Sequence, residues 1–400
     1  MQTSRSIPTE PNYPHTVCFL ILIFGLPGLL SADVAKPETP RIDCVVPAAV
    51  QPHEKDPRTI WYDDFDGTPK SYGEGKGPLD DKVAFGMQGN SLLCLYEKGK
   101  RGKGGRKVFF GDSPIYVNKA VRRGEKFDVI YWRIYVKHQY GCIGSPDKMS
   151  RATSLTSSKW TQAMISHVWS SHDSSLTLDP VRGVQDNRVM TRKYNDFERM
   201  KWLGNKPVST FPIHATEESG YWVLVEARVK LNTPGKSDGI NQLWIDGRLE
   251  CERRGLNFRD NYTKHGINAV FLEAYWNSGS PIMQSRWYDN FIISTKPIGP
   301  VACPPNPTVI KTPYHGPGRA SGWQVELAAD YGGKDVVYRS QKLPPGDRVV
   351  ISATHGKFVG SLAGKESLTS RENYFLRVRQ SSSAGTVSDW SHWHQGFQAK

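Results

Sequence analysis

The chain has 400 residues, 38% of them hydrophobic and 11% aromatic, which excludes a disordered or fibrous protein and leaves room for one large domain and one small one. Its 52 Lys and Arg against 39 Asp and Glu give a net charge of +13, so an anionic polymer or surface is the expected kind of partner.

Residues 1–32 carry an apolar run, Cys18 to Leu30, too short to span a bilayer and followed by the small residues Ser31 and Ala32. We read it as a cleaved export signal. Its loss removes one base, Arg5, and one acid, Glu10, so the balance stays at +13. A secreted, cell-envelope or periplasmic protein is expected, without stable membrane insertion after cleavage, and export argues against nucleic acid as the partner. Residues 33–57 form a Pro-rich lead.

From residue 58 to 296, short strand-like patterns alternate with Gly, Pro, Asn and Asp clusters, and few stretches hold a helical period. Many strands at this spacing predict an all-β, two-sheet sandwich. In WYDDFDG, Asp63, Asp64 and Asp66 either offer oxygens to calcium or cap a turn. Lys98 to Lys107, KGKRGKGGRK, places six bases in ten residues; Lys103 and Arg106 there can hold successive acidic sugars, or the loop is merely solvated. Tyr131 to Lys137 alternates Tyr131, Arg133, Tyr135 and Lys137 against Trp132, Ile134 and Val136. Lys159 and His167 share parity on a neighbouring segment. Tyr221 to Gly247 reads as a strand, a turn-rich loop and a second strand closing on the positive-φ pair Asp246-Gly247. Ala269 to Tyr275 and Arg286 to Ser294 complete the series.

Five cysteines follow the signal: Cys44, Cys94, Cys142, Cys251 and Cys303. They lack metal-ligand spacing. A Cys44–Cys303 bridge clasping the ends of the large domain is expected, with buried thiols as the alternative. His167, His172, His214 and His265 show no HExxH spacing, so no zinc site is expected and calcium is the one cofactor considered.

Residues 297–307 form a linker by composition, and residues 308–400 a small sandwich. Within it, Tyr374-x-Leu376-x-Val378, the Gly385 turn, Ser388-Asp389-Trp390-Ser391 and the earlier Trp323 resemble a fibronectin type III domain. The resemblance implies a spacer or presentation module.

In the large domain, Glu226-x-x-Val229-Lys230-Leu231-Asn232-Thr233-Pro234-Gly235, Trp244-x-Asp246-Gly247 and Trp287-Tyr288-Asp289-Asn290-Phe291 resemble the jelly-roll, concanavalin-like polysaccharide lyases, closest to the family-14 alginate-lyase type. That family's Gly-Gly-x-Lys-Leu-Pro-Gly segment is not reproduced, and Thr156-Ser157-Ser158-Lys159-Trp160 occupies the comparable stretch. The resemblance implies a monomer gripping an acidic, uronate-containing polysaccharide on a concave sheet, with β-elimination as the reaction. Elimination needs a cation opposite the carboxylate, a base for the C5 proton and an acid for the leaving oxygen. Arg133, Arg228, Lys230 and Arg286 are the candidate carboxylate partners, Lys159 or His167 the base, and Tyr135 or Tyr288 the acid. A glycan-binding or adhesive protein without catalysis is the alternative. A glycoside hydrolase using Glu226 and Glu273 is the minor one.

Overall fold

The computed structural model describes residues 41–47, 51–75, 77–171 and 173–400. The expected export signal, most of the Pro-rich lead and His172 lie outside the described residues.

Alternating side chains stack two antiparallel sheets against each other. Ile130, Trp132, Ile134 and Val136 on the strand Val129–His138 face the same interior as Val223, Val225, Ala227 and Val229 on Trp222–Lys230. Register supports this, because Ile134 pairs with Val225 and Trp132 with Ala227. The larger sheet runs in the order Arg248–Leu256, Gly239–Ile245, Trp222–Lys230, Val129–His138, Gln284–Ser294, Ser91–Tyr96 and Leu79–Asp80, with Thr59–Asp63 also paired to Gln284–Ser294. The facing sheet runs Lys201–Trp202, Leu176–Arg182, Gln162–Ser170, Lys148–Leu155, Ala269–Tyr275 and Arg106–Phe109. It supplies Met149, Ala152, Met164, Val168, Leu178, Val270 and Leu272 to the shared core. The fold is thus the expected all-β sandwich. The turn at Asp246 and Gly247 has φ of 47° and 78°, the paired positive values that a two-residue hairpin needs to match strand twist.

Residues beyond the sandwich build a six-stranded sheet, ordered Ala302–Cys303, His394–Ala399, Asn373–Ser382, Ala320–Ala328, Val336–Ser340 and Gly356–Phe358. A three-stranded sheet accompanies it, in which Cys44–Val45 from the N-terminal lead pairs with Thr308–Lys311, itself beside Arg348–Val350. The outer face of the larger sandwich sheet is consequently covered. Tyr135, Trp222, Leu224 and Trp287 join one apolar cluster with Val301, Cys303, Val309 and Trp323.

All five cysteines among the described residues are free and buried. The expected Cys44–Cys303 clasp does not form: Cys44 lies on the three-stranded sheet opposite Lys311, and Cys303 lies on the six-stranded sheet opposite Ala399. Chain order brings the two cysteines to the ends of the large domain, but their strands belong to different sheets. Among the described residues no helix is long and apolar enough to cross a membrane.

Two buried histidines make the fold sensitive to acid. His214 Nδ1 lies 3.2 Å from His138 Nε2, and His214 Nε2 lies 2.8 Å from the Ser170 hydroxyl. Burial pushes the His214 pKa from 6.5 down to about 3, and burial with the neighbouring His214 holds His138 well below its ordinary value. Below pH 6.5 the unfolded chain takes up protons that the native site refuses, so stability falls as pH drops from 6.5 toward 3. Urea unfolding at pH 7 and at about pH 5 should show a loss on the order of 2 kcal/mol from His214 alone. A His214→Gln variant should lose less over the same interval.

Candidate functional site

The outer face of the six-stranded sandwich sheet carries a row of side chains across five strands. Register places Asp179 opposite His167, His167 opposite Arg151, Arg151 opposite Phe271 and Phe271 opposite Lys107. One step along, Thr177 pairs with Trp169, Trp169 with Lys148 and Lys148 with Tyr275. A cleft of about 420 Å³ opens over this floor, lined by Lys107, Lys148, Arg151, Tyr194, Glu273 and Tyr275 together with Lys103 and the Gly102–Gly105 backbone.

The basic Gly-rich segment forms one lip. It is packed down onto the strand Ser91–Tyr96 of the larger sheet, since Leu95 and Lys103 exchange backbone hydrogen bonds of 3.0 and 2.9 Å. At Gly104, with φ of 119°, a Cβ would fall 2.3 Å from the Leu93 carbonyl oxygen, so only glycine permits this approach.

Most cations of the cleft already have partners. Arg151 is buried; it donates to Asn195 Oδ1 at 2.7 Å and to Glu273 Oε1, while Glu273 Oε2 is buried without a hydrogen-bond partner. Lys107 donates to Glu74 and sits 4.7 Å from the Trp160 ring and 5.2 Å from Phe271. Lys103 pairs with Glu97 at the exposed rim. Lys148 differs. Its Nζ lies 4.2 Å from the Tyr275 ring and 5.5 Å from Trp169, it is half-buried, and it makes no ion pair among the described residues. Burial lowers its pKa, partly opposed by Glu273. A desolvated ammonium between two rings suits an incoming carboxylate on a sugar.

Tyr194 approaches from the irregular segment between Leu176–Arg182 and Lys201–Trp202. Its ring lies 5.4 Å from both the Arg151 guanidinium and the Lys107 ammonium. Burial pushes its pKa up to about 12, against the lowering effect of Arg151, so the phenol stays protonated at neutral pH. His167 is fully buried in the same row, its Nδ1 2.8 Å from the Asp179 carbonyl oxygen and its Nε2 without a partner. The carbonyl can only accept, which puts the proton on Nδ1 and leaves a lone pair on Nε2. Burial first, then Arg151, holds this imidazole well below its usual pKa and hence neutral. Trp169 at 3.8 Å, Phe197 and Trp202 cover it.

Several expected site residues lie elsewhere. Arg133 and Tyr135 belong to the covered outer face of the larger sheet, where Arg133 donates to the Gly299 carbonyl at 3.0 Å and the Tyr135 hydroxyl accepts from the Val301 N–H at 3.0 Å. Glu226 shares that face and accepts the N–H groups of Ile298 and Gly299. Arg228 and Lys230 continue it, bonded to Gln242 and Asp238. Arg286 and Tyr288 point between the sheets. The Tyr288 hydroxyl donates to the carbonyls of Met149 and Glu273, and Arg286 donates to those of Lys148 and Glu273, so both brace the cleft floor from behind. Arg106 is buried, bonded to the Gly77 carbonyl and 5.5 Å from the Tyr72 ring. Lys159 is exposed at the tip of a turn, and its neighbour Trp160 packs against Lys107 and Tyr194, which line the cleft. Of the expected set, Glu273 and Lys103 line the cleft, and His167 lies next to Arg151 in the same row, beneath Trp169, Phe197 and Trp202. The Asp63 and Asp66 carboxylates accept from the backbone N–H groups of Phe65 and Asn90, and Asp64 accepts from the Tyr62 hydroxyl.

Fold and cleft together define a two-sheet sandwich protein with a cationic, aromatic-lined groove on its smaller sheet. No protein-family model and no curated protein matches the chain. Among solved structures it is similar to the alginate lyase vAL-1 from Chlorella virus, at 13% identity and a TM-score of 0.40 over 57% of this chain and 92% of that one. It is likewise similar to the endo-beta-1,4-glucuronan lyase from the fungus Trichoderma reesei, at 14% identity and TM-score 0.39 over 60% and 96% of the two chains. The marine PL-14 alginate lyase from Aplysia kurodai matches at 15% identity and TM-score 0.39 over 60% and 99%.

Proposed function

We propose that the cleft binds an acidic, uronate-containing polysaccharide and cleaves it by β-elimination. The observation that carries this reading is Lys148, an ammonium without an ion-pair partner among the described residues, held between Tyr275 and Trp169 on a floor shared with Arg151 and Lys107. A uronate carboxylate meets Lys148, and the adjacent rings stack on sugar faces. Charge neutralisation at the carboxylate makes the C5 proton more acidic. His167 Nε2, with its free lone pair, takes that proton once Trp169 and Trp202 shift, and Tyr194 gives its proton to the departing C4 oxygen as the C4–C5 double bond forms.

The test is a panel of alginate, polyglucuronate, pectate and sulfated glycosaminoglycans, followed by the ultraviolet absorbance of unsaturated uronate ends and by retention on immobilised polymer at increasing salt. Rising absorbance on one polymer, lost in His167→Gln with salt-sensitive retention kept, is the expected outcome. Retention without any absorbance would reduce the protein to a glycan-binding module, and no retention on any polymer would remove the reading altogether.

A further inference from the structure

The C-terminal histidines His392 and His394 lie outside the cleft. Spaced two apart, their side chains emerge on one side of an extended segment. Their rings stack at 5.9 Å with 12° between planes, and Tyr221 stacks on both, at 5.4 and 4.1 Å. The short turn Thr216–Glu218 of the large sandwich brings a carboxylate to them. Glu218 Oε2 lies 3.2 Å from His394 Nε2, and Glu218 Oε1 lies 3.4 Å from His392 Nδ1. Ligand atoms of the three residues all fall within 4.8 Å of one another.

We propose that Glu218, His392 and His394 form a zinc site that ties the C-terminal module to the sandwich. Five features support it independently of what the cleft does. Ligand atoms around a tetrahedral zinc with bonds of about 2.0–2.1 Å stand roughly 3.3 Å apart, close to the two Glu218–histidine separations of 3.2 and 3.4 Å. Two imidazoles and one carboxylate suit zinc, whereas calcium and magnesium take oxygen. His394 is 1% exposed and neither ring nitrogen makes a well-formed hydrogen bond, Nε2 meeting only the Glu218 carboxylate at 3.2 Å, and buried nitrogens held this way are costly unless something lies between them and their neighbours. Behind the ring, buried Asp246 has its own orphan, Oδ2, 3.9 Å from His394 Nδ1. A carboxylate behind a ligating histidine fixes the tautomer that turns the other nitrogen's lone pair to the metal. His392, with its side chain 43% exposed, leaves a way in for the ion and room for water at the fourth position.

The full chain, stripped of metal by dialysis against chelator, should bind one equivalent of zinc by calorimetry and give tetrahedral d–d absorption with cobalt. His392→Ala, at an exposed position, should keep its far-ultraviolet circular dichroism and lose the stoichiometric binding. Asp246→Asn should weaken zinc by about 10–100-fold while leaving the stoichiometry at one. Absence of stoichiometric uptake by the parent protein, or equal affinity in His392→Ala, would overturn the assignment. Neither readout involves polysaccharide, so the site stands or falls separately from the cleft.

Discussion

Arg151→Met is expected to destabilise the protein by about 3–5 kcal/mol, the usual consequence of removing one partner from a buried ion pair. Arg151 is 1% exposed and Glu273 11% by side chain, so the mutation strands a carboxylate that already has one unpartnered oxygen. Asn195 loses its 2.7 Å bond as well, and with it goes the anchor of the loop bearing Tyr194. The penalty comes from the orphaned charge rather than from the intrinsic strength of the pair. Accordingly, adding Glu273→Gln to Arg151→Met should restore most of the lost stability. Urea midpoints of the parent, the two single variants and the double variant close this cycle. An Arg151→Met loss below about 1 kcal/mol would mean that the pair is solvated and the cleft floor is softer than its geometry indicates.

Lys148→Met should do the reverse, leaving the fold intact and removing function. The ammonium is half-buried without a carboxylate partner among the described residues, and the Met side chain fills a similar volume between Tyr275 and Trp169. Its pKa is lowered by burial, so the native state binds this proton less tightly than the unfolded chain does. At neutral pH the charge therefore opposes folding, and stability should hold or rise in the variant. Affinity for a polyuronate should fall roughly 10- to 150-fold, from the loss of one charge-assisted hydrogen bond of about 1.5–3 kcal/mol. In the parent, the same lowered pKa means that retention on polyuronate weakens at a less alkaline pH than an ordinary lysine would allow. Unchanged retention in Lys148→Met would move the carboxylate site to another part of the cleft. Such separation of stability from function is common where a binding group is kept desolvated for its ligand.

Alternation made the strands legible, but it could not tell which face of each sheet meets solvent. Tyr131 to Lys137 and Trp222 to Lys230 show their polar sides clearly, and that side is buried by Gly299, Val301 and the sheets beyond the sandwich. A signal was present in Tyr135, Trp222, Leu224 and Trp287, four large apolar or aromatic residues on the supposedly open face. Arg286 and Tyr288 turned inward because Trp287 is the residue that faces out, its indole N–H donating to Asp80 at 2.8 Å. Arg151 sits in KMSRATSL, where bulges at both ends blur the period, and Tyr194 comes from an irregular loop. Glu218 and His392 are 174 residues apart, beyond the reach of any spacing rule. Glu273 and Lys103 were found because a strand and a Gly-rich basic loop each carry a local signature.

The pairing of Cys44–Val45 with Thr308–Lys311 bears on how the molecule is made. Asp43 and Thr312, bonded beside that pairing, stand 269 residues apart. On the ribosome the N-terminal segment emerges first and waits through synthesis of the whole sandwich before its partner strand appears. That sheet is thus completed by a segment made long before its partner strand, which delays its closure until Thr308–Lys311 has been made. A chain begun after this strand would leave a sheet edge unpaired, and a truncated C-terminal module would face the aggregation risk of an open edge.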